Sequence, residues 1–287
     1  MKFIDSSIEI IPQDSGIIGG YKHIEKAARN CYASENKIDD TSYIKMIDML
    51  MAKGHLSPYE HYTVYLDVNP QYKYITKKYR KNPYSKCSEA FGSHVYITTN
   101  FRVLVENDWL SDLQFECEPT EHHYLRTTVK VVISEAIARE WNRSRTLSIS
   151  QRSTRYCNYS KDKFGSEITF VIPEWINNLK NEIPELSNLS GENLVNQASC
   201  YDRSVATWIS SLNKAERDYI YLTTTDEGLK LKAQDARGIL PLDTMTVVYY
   251  TAFNDDWKHF FDLRCSNAAH PDIRKLACEL RKQMGYE

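Results

Sequence analysis

The chain has 287 residues, 42% of them hydrophobic, enough to build a proper core, so a fibrous or wholly disordered polymer is excluded. Its 36 Lys and Arg face 38 Asp and Glu, a net charge of −2, which gives nucleic acid no general attraction and excludes a histone-like binder. Any anion site must be local.

Seven cysteines, at 31, 87, 117, 157, 200, 265 and 278, include no CxxC pair, a pattern that suits reduced thiols and a cytoplasmic protein better than a disulfide framework. The N-terminal MKFIDSSIEIIPQD has no basic start followed by a long apolar run, and no window approaches the ~18 apolar residues of a membrane span, so no membrane partner is expected. Neither GxGxxG nor GxxxxGK[ST] occurs. A nucleotide cofactor, if bound, is held without those cradles.

In chain order, apolar residues at three- and four-residue spacing predict helices over 21–33 and 41–53, the second stopped by Gly54. Alternating β-branched and aromatic residues predict strands at 61–68, 94–99, 127–133, 167–172 and 244–253, a sheet of about five strands. Further helices are predicted at 134–141, 193–212, 227–237 and 271–284, with another ending near Arg264. Helices and strands do not alternate regularly, which predicts an α+β class with a mixed, largely antiparallel sheet flanked by helices. Without an internal repeat or Ser/Gly-rich linker, 1–287 reads as a single domain with an insertion at about 66–125. Residues 71–94 are the most distinctive part of it: six basic residues stand among tyrosines between Tyr72 and Lys86. Such a stretch either grips a single nucleic-acid strand or is a solvated excursion from a sheet, and the net charge favours the excursion.

The densest unusual segment is Arg143-Ser-Arg-Thr-Leu-Ser-Ile-Ser-Gln-Arg-Ser-Thr-Arg-Tyr156, with four arginines, four serines, two threonines and a glutamine but no acid. Guanidinium forks match phosphate oxygens, and hydroxyls add neutral donors, as a nucleotide phosphate requires. On composition alone the segment is equally a solvated strand whose arginines pair with carboxylates elsewhere. The segment His55-Leu-Ser-Pro-Tyr-Glu-His61 places two histidines just after a helix stop, but no third ligand stands at diagnostic spacing and no metal is expected. In Trp257-Lys-His-Phe-Phe-Asp-Leu-Arg264 the phenylalanines read as core.

Together these segments resemble the flavin-dependent thymidylate synthases. That family's Arg-His-Arg, seven residues, Ser, then Arg-Tyr signature stands here as Arg143-Ser144-Arg145, Ser153 and Arg155-Tyr156. Its Gly-His-x-[Ser/Thr]-Pro-x-Glu-His element is Gly54–His61, and Ala236-Arg237-Gly-Ile-Leu-Pro241 and Phe261-Asp-Leu-Arg264 match two downstream elements. The departures are Ser144 in place of the central histidine, Asn142 where an apolar residue is usual, and Arg152 where long-chain members have an acid.

The resemblance implies a thymidylate synthase-complementing type fold, a homotetramer with shared active sites, and reductive methylation of dUMP to dTMP. Methylenetetrahydrofolate would give the carbon, and FAD reduced by NADPH the hydride. It assigns dUMP to Glu140, Arg143, Gln151, Arg152, Ser153, Arg155, Arg237 and Arg264, with Arg155 on the phosphate and Arg264, as the catalytic group, beside N3 and O2 of the uracil. It assigns FAD to Ser57, Arg143, Ser144, Arg145, Gln151, Asn254 and His259, and folate access to His55. Ser153 has no neighbouring base in its segment and is read as a binding residue rather than a nucleophile. A divergent pyrimidine-nucleotide hydroxymethylase, or a non-catalytic nucleotide- or strand-binding protein on the same fold, are the alternatives that the departures leave open.

Overall fold

The computed structural model describes residues 1–89 and 91–286; Ala90, within the expected excursion, and Glu287 lie outside the described residues. The first two strands, β1 (Lys2–Ile4) and β2 (Ser7–Ile10), are too short to show a period in the sequence. The helix α1 (Gly16–Cys31) starts five residues ahead of its expected 21–33, because Gly20 lets it lie directly on the Tyr62 ring, into which a Cβ would collide. Next come α2 (Ser42–Ala52), a 3₁₀ turn over Ser57–His61, and β3 (Thr63–Val68).

The expected excursion is partly ordered into α3 (Lys73–Lys81) and β4 (Lys86–Cys87). Ile75 and Tyr79, four apart, supply a buried stripe, Lys73, Lys77 and Lys81 are exposed, and Lys78 turns in to pair with buried Asp112. The chain continues through β5 (Val95–Asn100), α4 (Phe101–Glu106), β6 (Arg126–Ser134), α5 (Glu135–Trp141), β7 (Ser148–Gln151), β8 (Thr169–Val171) and α6 (Glu174–Glu182). The helix expected at 193–212 is two, α7 (Gly191–Tyr201) and α8 (Arg203–Thr224), broken at Asp202, whose backbone is extended and whose carboxylate caps Ser204 N–H at 2.6 Å. Only α9 (Ala233–Ala236) forms within the expected 227–237 helix, since Gly228 sits at φ +112°, outside helical space. Last are β9 (Met245–Phe253), α10 (Asn254–Arg264) and α11 (Pro271–Gln283).

The class is α+β and the sheets are largely antiparallel, but a single sheet of about five strands is not what forms. Among the described residues the order β2-β6-β9-β7 makes a four-stranded antiparallel sheet, β3-β5-β4 a three-stranded antiparallel one, and β1-β8 a parallel pair. One face of the four-stranded sheet carries Val129, Val131, Ile133, Val248 and Tyr250 against Trp141, Trp257, Phe260, Phe261 and Leu276 of α5, α10 and α11. Its other face carries a buried polar network among Val247, Tyr249 and Phe253. There His61, fully buried, bonds Thr251 Oγ1 at 2.8 Å and Ser150 Oγ at 2.9 Å, while His23 bonds Thr128 Oγ1 at 3.0 Å. The three-stranded sheet has its own core with α1, α2 and α3. No helix of the described residues is long and apolar enough to cross a membrane.

Candidate nucleotide site

The site grows from one junction. β6 runs straight into α5, which Ser134 starts by accepting a hydrogen bond from Ile137 N–H at 3.3 Å. Trp141, at the far end of α5, stacks on Tyr250 with ring centroids 5.2 Å apart and anchors the turn that follows. That turn carries Arg143, Ser144 and Arg145, and the chain re-enters the sheet as the edge strand β7. The C-terminal end of α1 fastens this edge: Asn30 Nδ2 donates to the carbonyls of Ser150 (2.9 Å) and Val247 (2.8 Å), and Cys31 O accepts from Ser153 N–H (3.0 Å).

A cavity of about 610 Å³ opens beside that edge, and Gln151, Arg152, Ser153 and Arg237 line it, together with Glu135 and Arg139. Glu140 and Arg143 line a neighbouring hollow of about 430 Å³, which Arg139 shares. Arg264, at the end of α10, donates from Nη2 to Glu140 O at 2.7 Å, with Nη1 3.7 Å from the Glu140 carboxylate. Its buried Nε has no hydrogen-bond partner among the described residues.

The arginines of the 143–156 segment divide. Arg152 is ion-paired to Glu35 at 2.7 Å, whereas Arg143, Arg145 and Arg155 make no ion pair among the described residues, nor do Arg139 and Arg237. Carboxylate pairing elsewhere therefore explains only Arg152. Ser153 Oγ accepts from Arg155 N–H at 3.2 Å, and the Arg155 guanidinium lies outside the large cavity, 5.6 Å from the Tyr156 ring.

The residues assigned to flavin are not gathered into one cavity of a single subunit. Arg145 lines a third hollow, of about 290 Å³, with Lys86, Arg126, Phe253 and Asp256. Asn254 opens α10 and accepts from Thr127 Oγ1 at 2.8 Å. Ser144 is half-buried in its turn, while His259, Ser57 and His55 are exposed. His61 has both ring nitrogens bonded inside the protein, so it is not available beside His55.

Sequence reasoning missed Glu135 and Arg139. The signal was present: 135, 139 and 143 stand four apart along α5 and into its turn, which places them along one side. Burial raises the Glu135 pKa, opposed by its bonds to Thr246 and Gln151 and by the charges of Arg139 and Arg237.

The sequence profile of the family described as thymidylate synthase complementing protein matches residues 114–286, more than half of the chain. The chain belongs to this family. The match takes in every site segment from Glu135 to Arg264 and stops short of His55 and Ser57. Curated relatives of this family member include a flavin-dependent thymidylate synthase of Synechocystis, 26% identical over 158 residues that span 54% of this chain and 64% of the relative. Another, from Mycobacterium marinum, is 30% identical over 152 residues, 53% of this chain and 54% of the relative. The chain thus matches less than two thirds of the length of these relatives. Among solved structures, a UMP/dUMP methylase, PolB of Streptomyces cacaoi bound with 5-Br dUMP, is 18% identical with a TM-score of 0.45, over 99% of this chain and 92% of that one.

Proposed function

We propose that this member of the thymidylate synthase complementing protein family methylates dUMP reductively to dTMP, taking the carbon from methylenetetrahydrofolate and the hydride from FAD that NADPH has reduced. The observation that carries the reading is the large cavity: Arg139 and Arg237 line it and form no ion pair among the described residues, beside the amide of Gln151 and the hydroxyl of Ser153. Guanidinium groups free of ion pairs, together with neutral donors, are what a phosphate monoester needs. The names of the curated relatives support the same reading.

In this reading Arg237, Ser153 and Arg152 hold the phosphate from the cavity wall, Arg155 reaches it from beyond that wall, and Gln151 and Arg143 face the nucleoside. Arg264 lies on the uracil edge, where it stabilises the negative charge that appears when N3 ionises and C5 becomes nucleophilic. Glu140 positions it through the 2.7 Å bond to its carbonyl. Ser153 takes no covalent part.

The residues present suit FAD. Arg143 and Arg145 flank Ser144 in an exposed turn with no ion pair among the described residues, a donor set that matches a pyrophosphate. Ser57, Ser144, Gln151, Asn254 and His259 complete the proposed FAD set, with His55 at the folate entrance. When bound, the flavin supplies the hydride. Because these residues are spread over one subunit, the reading includes a homotetramer in which sites are shared. It also takes 1–287 as one domain in a cytoplasmic protein, with an insertion at about 66–125, a reading that the separate sheet β3-β5-β4 supports.

The absorbance spectrum of the purified protein tests the proposal. A flavin band that NADPH bleaches, with dTMP formed from dUMP and methylenetetrahydrofolate, is the expected result. A colourless protein that takes up no FAD on titration overturns it.

A further inference from the structure

Glu135 has a place in the large cavity that none of the assignments above uses. Its carboxylate accepts from a neutral donor, Gln151 Nε2 at 3.0 Å. No Lys or Arg forms an ion pair with it among the described residues. A carboxylate offers about four lone-pair positions. Gln151 fills one, so acceptor capacity remains on a side chain that lines the cavity.

The groups behind it fix its polarity. Tyr250 is wholly buried and its phenol is held well above the usual range by burial, so Oη stays protonated and donates to Asn142 Oδ1 at 2.8 Å. The Asn142 amide must then present its nitrogen, which donates to Gln151 Oε1 at 3.2 Å. Gln151 in turn must point Nε2 at Glu135. The relay Tyr250, Asn142, Gln151, Glu135 runs one way, and its end is an acceptor. An ionised Glu135 offers the cavity only acceptor positions, so its partner there is a hydrogen-bond donor.

The same cavity offers Arg139 and Arg237 to an anion. A ligand that suits both is anionic at one end and carries a donor close to that end. In a nucleoside monophosphate the donor nearest the phosphate is a sugar hydroxyl. We propose that Glu135 accepts a hydrogen bond from the 3′-hydroxyl of bound dUMP and so reads the sugar of the substrate; this rests on the reading of the cavity as a dUMP site. The resemblance did not mark residue 135, and the role belongs to the acid and amide pair, Glu135 with Asn142, that this chain places around Gln151.

Equilibrium binding to the full chain by titration calorimetry near pH 8, where the carboxylate is ionised, tests the inference. The probes are dUMP and 2′,3′-dideoxyuridine 5′-monophosphate, measured on wild type, Glu135→Gln and Glu135→Ala. Wild type is expected to bind the dideoxy nucleotide about 10- to 100-fold more weakly, the worth of a hydrogen bond to a charged acceptor. Both variants are expected to bind the two nucleotides within about threefold of each other, because little distinguishes them once the charged acceptor is gone. Equal affinity of wild type for both nucleotides overturns the inference without needing any variant to fold. So do variants that discriminate as wild type does. If wild type binds dUMP but ignores the hydroxyl, only the role of Glu135 fails; if it binds neither nucleotide, the dUMP reading fails and this inference with it.

Discussion

Arg264, the last residue of α10, donates from Nη2 to the main-chain carbonyl of Glu140, 2.7 Å away near the end of α5. Two helices separated by more than a hundred residues are thereby joined at the point where the substrate ring is proposed to lie. If Arg264 stabilises ionised N3, it acts where charge develops, and Arg264→Ala should lower kcat by ~10²-fold or more, as the loss of one oxyanion-hole donor does. Arg264→Lys should recover little, since an ammonium cannot hold the Glu140 carbonyl and present a planar donor pair together. Steady-state kinetics on dUMP checks this, and near-normal kcat in the alanine variant removes the assignment.

Arg237 and Arg155 are proposed to grip phosphate in ground and transition states alike. Loss of uniform binding raises KM and spares kcat, so Arg237→Ala and Arg155→Ala should each raise the dUMP KM by roughly 10-fold or more. Of the two, only Arg237 lines the large cavity, and it should show the larger effect. The reverse order would place the phosphate on the Arg155 side of the turn.

Ser144 stands between two unpaired arginines at the position where the resembling family has histidine. Ser144→His should tighten FAD binding, read as a lower dissociation constant in a flavin fluorescence titration. An unchanged or weaker affinity would show that the turn has been rebuilt around serine.

The buried histidines set an acid limit on stability. Burial lowers the His23 pKa to about 3 and that of His61 well below its ordinary value. The unfolded chain therefore binds protons below about pH 6.5 that the folded chain does not, and their contribution to stability falls as pH drops from there toward 3. Each histidine should contribute a slope of up to about 1.4 kcal/mol per pH unit in that window. Urea midpoints at pH 7.5 and 5.5 should show it, and His23→Gln should flatten the dependence while lowering stability at both pH values. An equally steep dependence in the variant would assign the acid sensitivity to other groups.

Alternation revealed β3, β5, β6 and β9, each of at least six residues, and the three-residue β8 within the expected 167–172, because all of them pack apolar side chains into a core. It did not reveal β7, Ser148–Gln151, whose polar side chains belong to the hydroxyl network and the cavity and whose strand state comes from pairing with β9. The stripe of Ile75 and Tyr79 was present in the sequence but lay among lysines that suggested solvent. At the candidate site, Gln151 and Ser153 stood out because their segment is dense in donors, whereas Arg237, alone among apolar residues and glycine in its segment, was marked only by the family resemblance. Glu135 and Arg139 were not, because an acid and a base four apart on a helix look like an ordinary surface pair; only the closure of β7 against α5 turns both toward a cavity.

The attachment of β7 to α1 links parts of the chain that look independent. Asn30 and Cys31 hold the strand and the start of the loop beyond it, yet Ile24 and Ala28 of the same helix are packed in the core of the β3-β5-β4 sheet. The rim of the cavity is thus moored to a beam whose other side rests on the β3-β5-β4 sheet. A loosened core there would slacken the nucleotide edge at a distance, so the tuning of this site is spread over residues that never approach a substrate.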